Sequence, residues 1–308
     1  VTPEQVDAAI RRGLIAAGDG CELAFYGGSF TALREETWRG FLEAAQPYLA
    51  SGQLRSIRLS TRPDAIDREI CQALRRYGVA TVELGCQSMD EAVLCLSRRG
   101  HSSSDTERAA RLLRQHGFSV ILQMMTGLPG DAGQQTLETA RRIIAMQPDG
   151  VRIYPTVVLR GTELEGMMRA GVYRPQTVEA AAAMCAGLLE LFSAAKIPVL
   201  RIGLHPTKAL DRDAVAGAYH PALGELARSE LMFRRACGLL KREKPGGYLT
   251  LLVHSKCVSA MVGQKRSNLL RLQREFSLRS IRVRPAEMDL WEVACSRTDR
   301  EETECSEA

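Results

Sequence analysis

A chain of 308 residues with 45% hydrophobic and 25% charged residues can bury a large core, and it lies far from disordered or fibrous compositions. Runs of about 18 uncharged apolar residues are missing, since 178–192 is interrupted by Glu179 and Glu190, and residues 1–20 carry Asp7, Arg11, Arg12 and Asp19 in place of a secretory apolar centre. The net charge of +5 is uneven: residues 241–284 hold eleven Lys or Arg against two acids, a candidate polyanion surface.

A cytoplasmic protein with no membrane partner is therefore expected. Its nine cysteines show no CxxC spacing and read as reduced, mostly buried thiols. Along the chain, Thr2-Pro3-Glu4-Gln5 supplies an N-cap, a proline at the first helical position and a glutamine three after the cap, which predicts a helix over 3–17. β-rich apolar runs follow at 21–27, 56–60, 81–86, 118–124, 150–154 and 197–203. Amphipathic segments at 36–50, 66–77, 89–97, 104–116, 133–146 and 177–195 fill the gaps. That alternation predicts an α/β fold with a parallel sheet, closed fully or partly into a (β/α) barrel.

A barrel normally opens with a strand, whereas this chain opens with a helix and with Val1 rather than Met. A preceding strand and its loop are expected to be absent, leaving a partial (β/α) barrel that lacks its first strand. After Thr207 the pattern stops, and 208–247 reads as helical and charged, ending in Lys244-Pro245-Gly246-Gly247. A strand at 248–253, a helix at 258–276 and strands at 280–284 and 290–295 predict a small C-terminal α+β domain. The expected domains are a barrel at 1–210, a helical extension at 211–247, a small basic domain at 248–295 and a disordered acidic tail at 296–308.

The strand exits are rich in glycine, proline and polar groups: YGGSFTAL at 26–33, STRPDAID at 60–67, VELGCQS at 82–88, LSRRGH at 96–101, MMTGLPGD at 124–131 and RIYPTVVLRGTEL at 152–164. In a βα barrel that rim binds ligands. In this order and spacing the segments resemble the radical SAM superfamily, in particular the group that includes the Elongator catalytic subunit and, more distantly, oxygen-independent coproporphyrinogen oxidase. The resemblance covers about 1–207 and extends to YHPALGELARSE at 219–230.

The resemblance implies a binding site for S-adenosylmethionine (SAM). Gly27, Gly28 and Ser29 stand where the family holds the SAM amino group, with Ser29 replacing an acid often found there. Gln87 matches a ribose-binding glutamine and Arg99 a carboxylate-binding arginine. Ser60 and Gln123 occupy positions of sugar-binding acids, and Tyr154 and Pro155 flank adenine. The alternatives to these roles are a solvated helix face for Arg99 beside Arg98 and a loop-stabilising amide for Gln87, while Asp131 reads as a helix cap rather than a catalytic acid.

The family also binds a [4Fe-4S] cluster through a Cx3Cx2C triplet in the loop after the first barrel strand. No such triplet is present, so the ligands are expected upstream of Val1. The resemblance implies an intact parent enzyme that takes an electron from a donor, cleaves SAM reductively and abstracts hydrogen with the 5′-deoxyadenosyl radical; the chain as given is expected to be inactive.

In the basic segment, Gly263-Gln264-Lys265-Arg266 resembles the GxxG loop of KH RNA-binding domains, with Arg266 where the second glycine belongs. Lys265, Arg266, Arg271 and Arg274 are the candidate RNA contacts, and Arg279, Arg282 and Arg284 would extend that face. RNA, including tRNA, is thus an expected partner. The competing reading is a non-catalytic RNA-binding protein on a degenerate βα barrel.

Overall fold

The computed structural model describes residues 1–243 and 247–297. Lys244, Pro245 and Gly246 of the expected turn, and the expected tail beyond Arg297, lie outside the described residues.

The chain opens with α1 (Pro3–Ala17), where Thr2 accepts from the Gln5 N–H and the Gln5 side chain accepts from the Thr2 N–H. It continues through β1 (Cys21–Phe25), α2 (Glu35–Ala50), β2 (Leu54–Thr61), α3 (Arg68–Arg76), β3 (Val79–Gln87), α4 (Glu91–Leu96), α5 (Ser103–Gln115), β4 (Ser119–Thr126), α6 (Gln134–Ala145) and β5 (Gly150–Pro155). Then come β6 (Val157–Leu159), α7 (Glu163–Arg169), α8 (Val178–Ala194) and β7 (Val199–Ile202). Short polar caps start the helices: Asp67, Asp90 and Ser102 accept from the N–H groups of Ile70, Val93 and Asp105.

By compactness the chain divides into one unit of Val1–Thr156 with Leu191–Ile202, and a second of Val157–Glu190 with the residues from Gly203 onward. In the first unit, β1 to β5 and β7 form a six-stranded sheet in the order β1-β2-β3-β4-β5-β7, parallel at every pairing. This is the expected partial barrel. Period-two alternation places Ile57, Leu59, Val82, Leu84, Val120 and Leu122 on the helix-covered face, each at most 1% exposed. Burying side chains of this size contributes about 1.5–3 kcal/mol apiece, which fixes the register, because a one-residue slip would turn them to the other face. The opposite face is consequently left to Ser60, Gln87, Gln123 and Tyr154.

The second unit continues through α9 (Lys208–Asp213), β8 (Ala214–Gly217), α10 (Leu223–Glu243), β9 (Tyr248–His254), α11 (Val258–Val262), α12 (Ser267–Glu275), β10 (Ser280–Ala286) and β11 (Val293–Arg297). An antiparallel ladder joins β6 to β8 within what reads from sequence as a helical stretch; Ala-Val-Ala-Gly is too short and too small to signal a strand by itself. A three-stranded sheet has the order β10-β9-β11, with β9 and β10 parallel and β11 antiparallel to β9. Leu249, Leu251 and Val253 of β9 pack with Met232, Ala236 and Leu240 of α10 in one buried cluster.

The single helix expected over 258–276 is two helices. Gly263, Lys265 and Arg266 have φ of 74°, 50° and 62°, which a right-handed helix cannot continue through. β11 begins at Val293, later than expected, because Asp289 accepts from the Glu292 N–H and turns Leu290 and Trp291 out of the strand.

Candidate functional site

The functional face of the first unit starts at the end of β1. Gly27 has φ 103°, and a cleft of about 310 Å³ is lined by Tyr26, Gly27, Gly28, Ser29 and Ser60 with Phe41 at its apolar wall. Phe25, Phe30 and Phe41 pack behind it, with ring centroids 4.8 Å apart for Phe25 and Phe30. The structure thus brings Gly27, Gly28, Ser29 and Ser60 to one hollow lined by open backbone and hydroxyl groups.

A second group forms at the exits of β3 and β4. Gln87 is left-handed at φ 60°, and its Oε1 accepts from Gln123 Nε2 at 3.2 Å. Gly85 makes room for this amide: a Cβ there would stand 2.6 Å from Gln87 Nε2. Tyr154 pairs in register with Met125, and Pro155 closes β5 against Thr126. The alternation puts Tyr154 on the same face as Gln123, while Pro155 is buried.

Arg99 follows α4, and its environment sets it apart. Its Nε is buried with no hydrogen-bond partner, and it forms no ion pair among the described residues. Burial lowers its pKa, and the neighbouring Arg62 lowers it further. Arg62 itself donates to both carboxylate oxygens of Asp64 and to the Gly100 carbonyl. A guanidinium held half-buried beside a second one, with no acid paired to it among the described residues, is left electrostatically unsatisfied. That observation favours the binding reading of Arg99 over a solvated helix face. Nearby, Cys86 is fully buried, and burial pushes its thiol up to about 12. His101 lies 3.2 Å from the Cys86 carbonyl through Nε2 and leaves Nδ1 without a partner.

Asp131 in the GLPGD loop accepts from the N–H groups of Gly127, Gly133 and Thr136. It clasps the start of α6.

Beneath the rim lies a polar network that motif reading passed over. Glu83, 1% exposed, accepts from Tyr26 Oη at 2.7 Å, from Arg58 at 3.1 Å and from Arg152 at 3.0 Å. Arg58 also donates to Glu22 at 2.5 Å. Burial opposes the charge on Arg58, yet Glu22 and Tyr26 together hold its pKa above the ordinary arginine value. The Tyr26 phenol is raised by its own burial and by the Glu83 carboxylate. The signal was legible: β2 carries an exposed charge at Arg55, whereas Glu22, Arg58, Glu83 and Arg152 sit inside β1, β2, β3 and β5 respectively, each at a position facing away from the helix-covered side. Such charges remain buried only when paired. This lattice ties the Tyr26-Gly27 turn to the middle of the sheet.

The described residues contain no group of three or more His, Cys, Asp or Glu side chains placed to hold a metal ion. They do not fit an iron–sulfur cluster. The eight cysteines among them are unpaired, and Cys305 lies outside them. No helix among the described residues is long and apolar enough to cross a membrane.

The first unit is an α/β parallel half-barrel with glycine turns, amides and an unpaired cation at its strand exits, the rim at which βα barrels bind ligands. Two family profiles make that class specific: "Radical SAM superfamily" matches residues 1–143, and "Radical_SAM C-terminal domain" matches residues 148–232. The chain belongs to the radical SAM superfamily. A tRNA uridine(34) acetyltransferase of Dehalococcoides mccartyi is 37% identical over 141 residues, 44% of this chain and 31% of that protein. Elongator complex protein 3 of Mus musculus is 29% identical over 176 residues, 51% of this chain and 32% of that protein. The chain therefore spans about a third of the length of these relatives. Among solved structures, the archaeal Methanocaldococcus infernus Elp3 with an N-terminal deletion aligns with a TM-score of 0.58 at 27% identity, over 73% of this chain and 57% of that one.

Proposed function

We propose that the rim of the first unit binds SAM for an enzyme that acts on RNA. The unpaired Arg99 guanidinium carries the reading, because SAM presents a carboxylate, an ammonium, a ribose and an adenine, and the rim offers a matching group for most of them. Arg99 pairs with the carboxylate, Gln87 and Gln123 with the ribose hydroxyls, and the Gly27-Gly28-Ser29 backbone with the ammonium through its carbonyl groups. Tyr154 supplies a flat wall for adenine. Bound there, SAM supplies the one-electron cleavage chemistry of the family.

The protein's own share is positional. Glu83, Arg58 and Arg152 hold the Tyr26-Gly27 turn by charge-assisted hydrogen bonds, which resist reorganisation when a charged ligand enters. The Gln87–Gln123 pair keeps one amide oxygen and one amide nitrogen committed to each other and leaves the other groups for ligand. RNA as the substrate class is supported by relatives whose names place them on tRNA uridine. An electron donor and the cluster itself would act from outside the described residues.

Equilibrium dialysis of the chain with SAM tests the cradle, and anaerobic reconstitution with iron and sulfide of a longer form that supplies the cluster-binding cysteines, followed by an assay for 5′-deoxyadenosine, tests the chemistry. SAM retained, with 5′-deoxyadenosine released after reconstitution, is the expected result. A chain that retains no SAM refutes the reading, and RNA binding in its place favours the non-catalytic alternative.

A further inference from the structure

We infer that the turn between α11 and α12, together with the outer face of α12, clamps single-stranded RNA by its phosphodiester backbone; this rests on the RNA reading above and names how the strand is held. The order β9–α11–turn–α12–β10, with β9 and β10 adjacent and parallel, carries the turn Gly263-Gln264-Lys265-Arg266 at an exposed corner between two helices. The corner is rigid. A Cβ at Gly263 would stand 2.6 Å from Ser267 Oγ and 3.0 Å from Asn268 N, so no side chain fits there. Asn268, 2% exposed, donates from Nδ2 to the Ser229 carbonyl at 2.8 Å and to the Ala260 carbonyl at 3.1 Å, tying α12 to α10 and α11.

On this corner Lys265 and Arg266 are both exposed and both left-handed, at φ 50° and 62°. Arg266 thus stands, left-handed, at the position of the second glycine of the GxxG pattern and places a cation there. Leu270 and Arg274, four residues apart, share one face of α12 about one helical turn apart, and Arg266 stands just before the helix at its cap. All three are exposed, Leu270 at 48%. Cations at the corner, with an apolar side chain and a further cation on the helix after it, suit a strand whose phosphates take the cations while an unstacked base lies on the leucine. A duplex hides its bases and would leave Leu270 in water.

Arg271, Arg282 and Arg284 do not join this face. Arg271 lies 3.6 Å over the Phe233 ring and pairs with Glu230 at 3.1 Å. Arg282 and Arg284 pair in register with Thr250 and Leu252, opposite to the helix-packed Leu249, Leu251 and Val253, and both already have partners. The clamp is therefore Lys265, Arg266 and Arg274 around Leu270, smaller than the basic composition of the segment implies.

Fluorescence anisotropy of the full chain with a labelled short single-stranded RNA, and with a duplex of the same composition, tests this over increasing salt. Three phosphate contacts give a slope of log affinity against log salt of about −2 for a single strand. The expected result is preference for the single strand, about ten-fold weaker binding by K265E/R266E with the slope reduced by about one unit or more, and less than about two-fold change for Arg282→Gln. Circular dichroism checks that the variants are folded, and Arg274→Gln provides an independent loss of one contact. Wild-type affinity in folded K265E/R266E, or duplex bound as tightly as single strand, overturns the clamp. Chain that binds no RNA at all, yet retains SAM in dialysis, overturns the RNA reading and leaves the SAM cradle standing.

Discussion

Replacing Arg99 by methionine separates stability from binding at one atom group. Methionine keeps the length of the stem and removes the guanidinium whose Nε is buried without a partner and whose neighbour is a second cation. An unsatisfied buried donor costs about 1–3 kcal/mol; because Arg99 is half-exposed, the lower end applies. The ligand-free chain should therefore gain about 1 kcal/mol, which raises the melting temperature by about 2–4 °C for a unit of this size. Binding moves the other way. A charge-assisted hydrogen bond contributes about 1.5–3 kcal/mol, so SAM affinity should fall by about 10- to 150-fold. Thermal unfolding followed by circular dichroism reads the first effect and equilibrium dialysis the second. Decarboxylated SAM is the control, since it lacks the partner of Arg99 and should bind wild type and Arg99→Met alike. A variant that melts lower than wild type, or that holds SAM as wild type does, refutes the assignment of Arg99 as an anion receiver.

Glu83→Gln leaves Arg152 and half the demand of Arg58 unanswered beneath the rim, and urea unfolding should show a loss of about 2 kcal/mol with weaker SAM binding through the freed Tyr26-Gly27 turn. The Asp105 carboxyl is held down to about 2 by the Ser102 backbone N–H, then by the Ser102 hydroxyl and Arg108. A depressed folded pKa contributes stability above the unfolded value of about 3.9 and loses it as pH falls toward 2; Asp105→Asn should flatten that acid limb of a urea-stability profile. Arg266→Gly relieves a left-handed side chain, so the unfolding free energy of the second unit should rise by about 0.5–1 kcal/mol while RNA affinity falls. Equal stability of the two proteins would mean that the turn is not strained.

Strand–helix alternation made the sheet of the first unit legible, because each strand here is a short apolar run buried on its helix face and each helix has one buried stripe. Trp38, Phe41, Leu42 and Ala45 of α2 fall on a single face at intervals of three, one and three residues, all at most 7% exposed. The break at Gly263 was harder to see: Lys265 and Arg266 are unremarkable helix formers, and only packing of Asn268 against α10 and α11 explains why they turn left-handed. The β6–β8 ladder carried no usable signal, since small residues form a strand only when a partner chain segment is already in place.

Local chemistry by itself determined the element order, the helix caps, the rim motifs and the concentration of positive charge after residue 240, because these depend on neighbours a few residues away. Which charges are satisfied was decided in three dimensions. Glu83 lies 25 residues from Arg58 and 69 from Arg152, and the pairing exists only because β2, β3 and β5 share one sheet face. Arg99 was left with Arg62 and no acid, and Arg271 was taken up by Glu230 and Phe233, by the same long-range packing. Residue type sets the charge a side chain brings; burial and the distance to an opposite charge determine whether that charge is used internally or remains for a ligand.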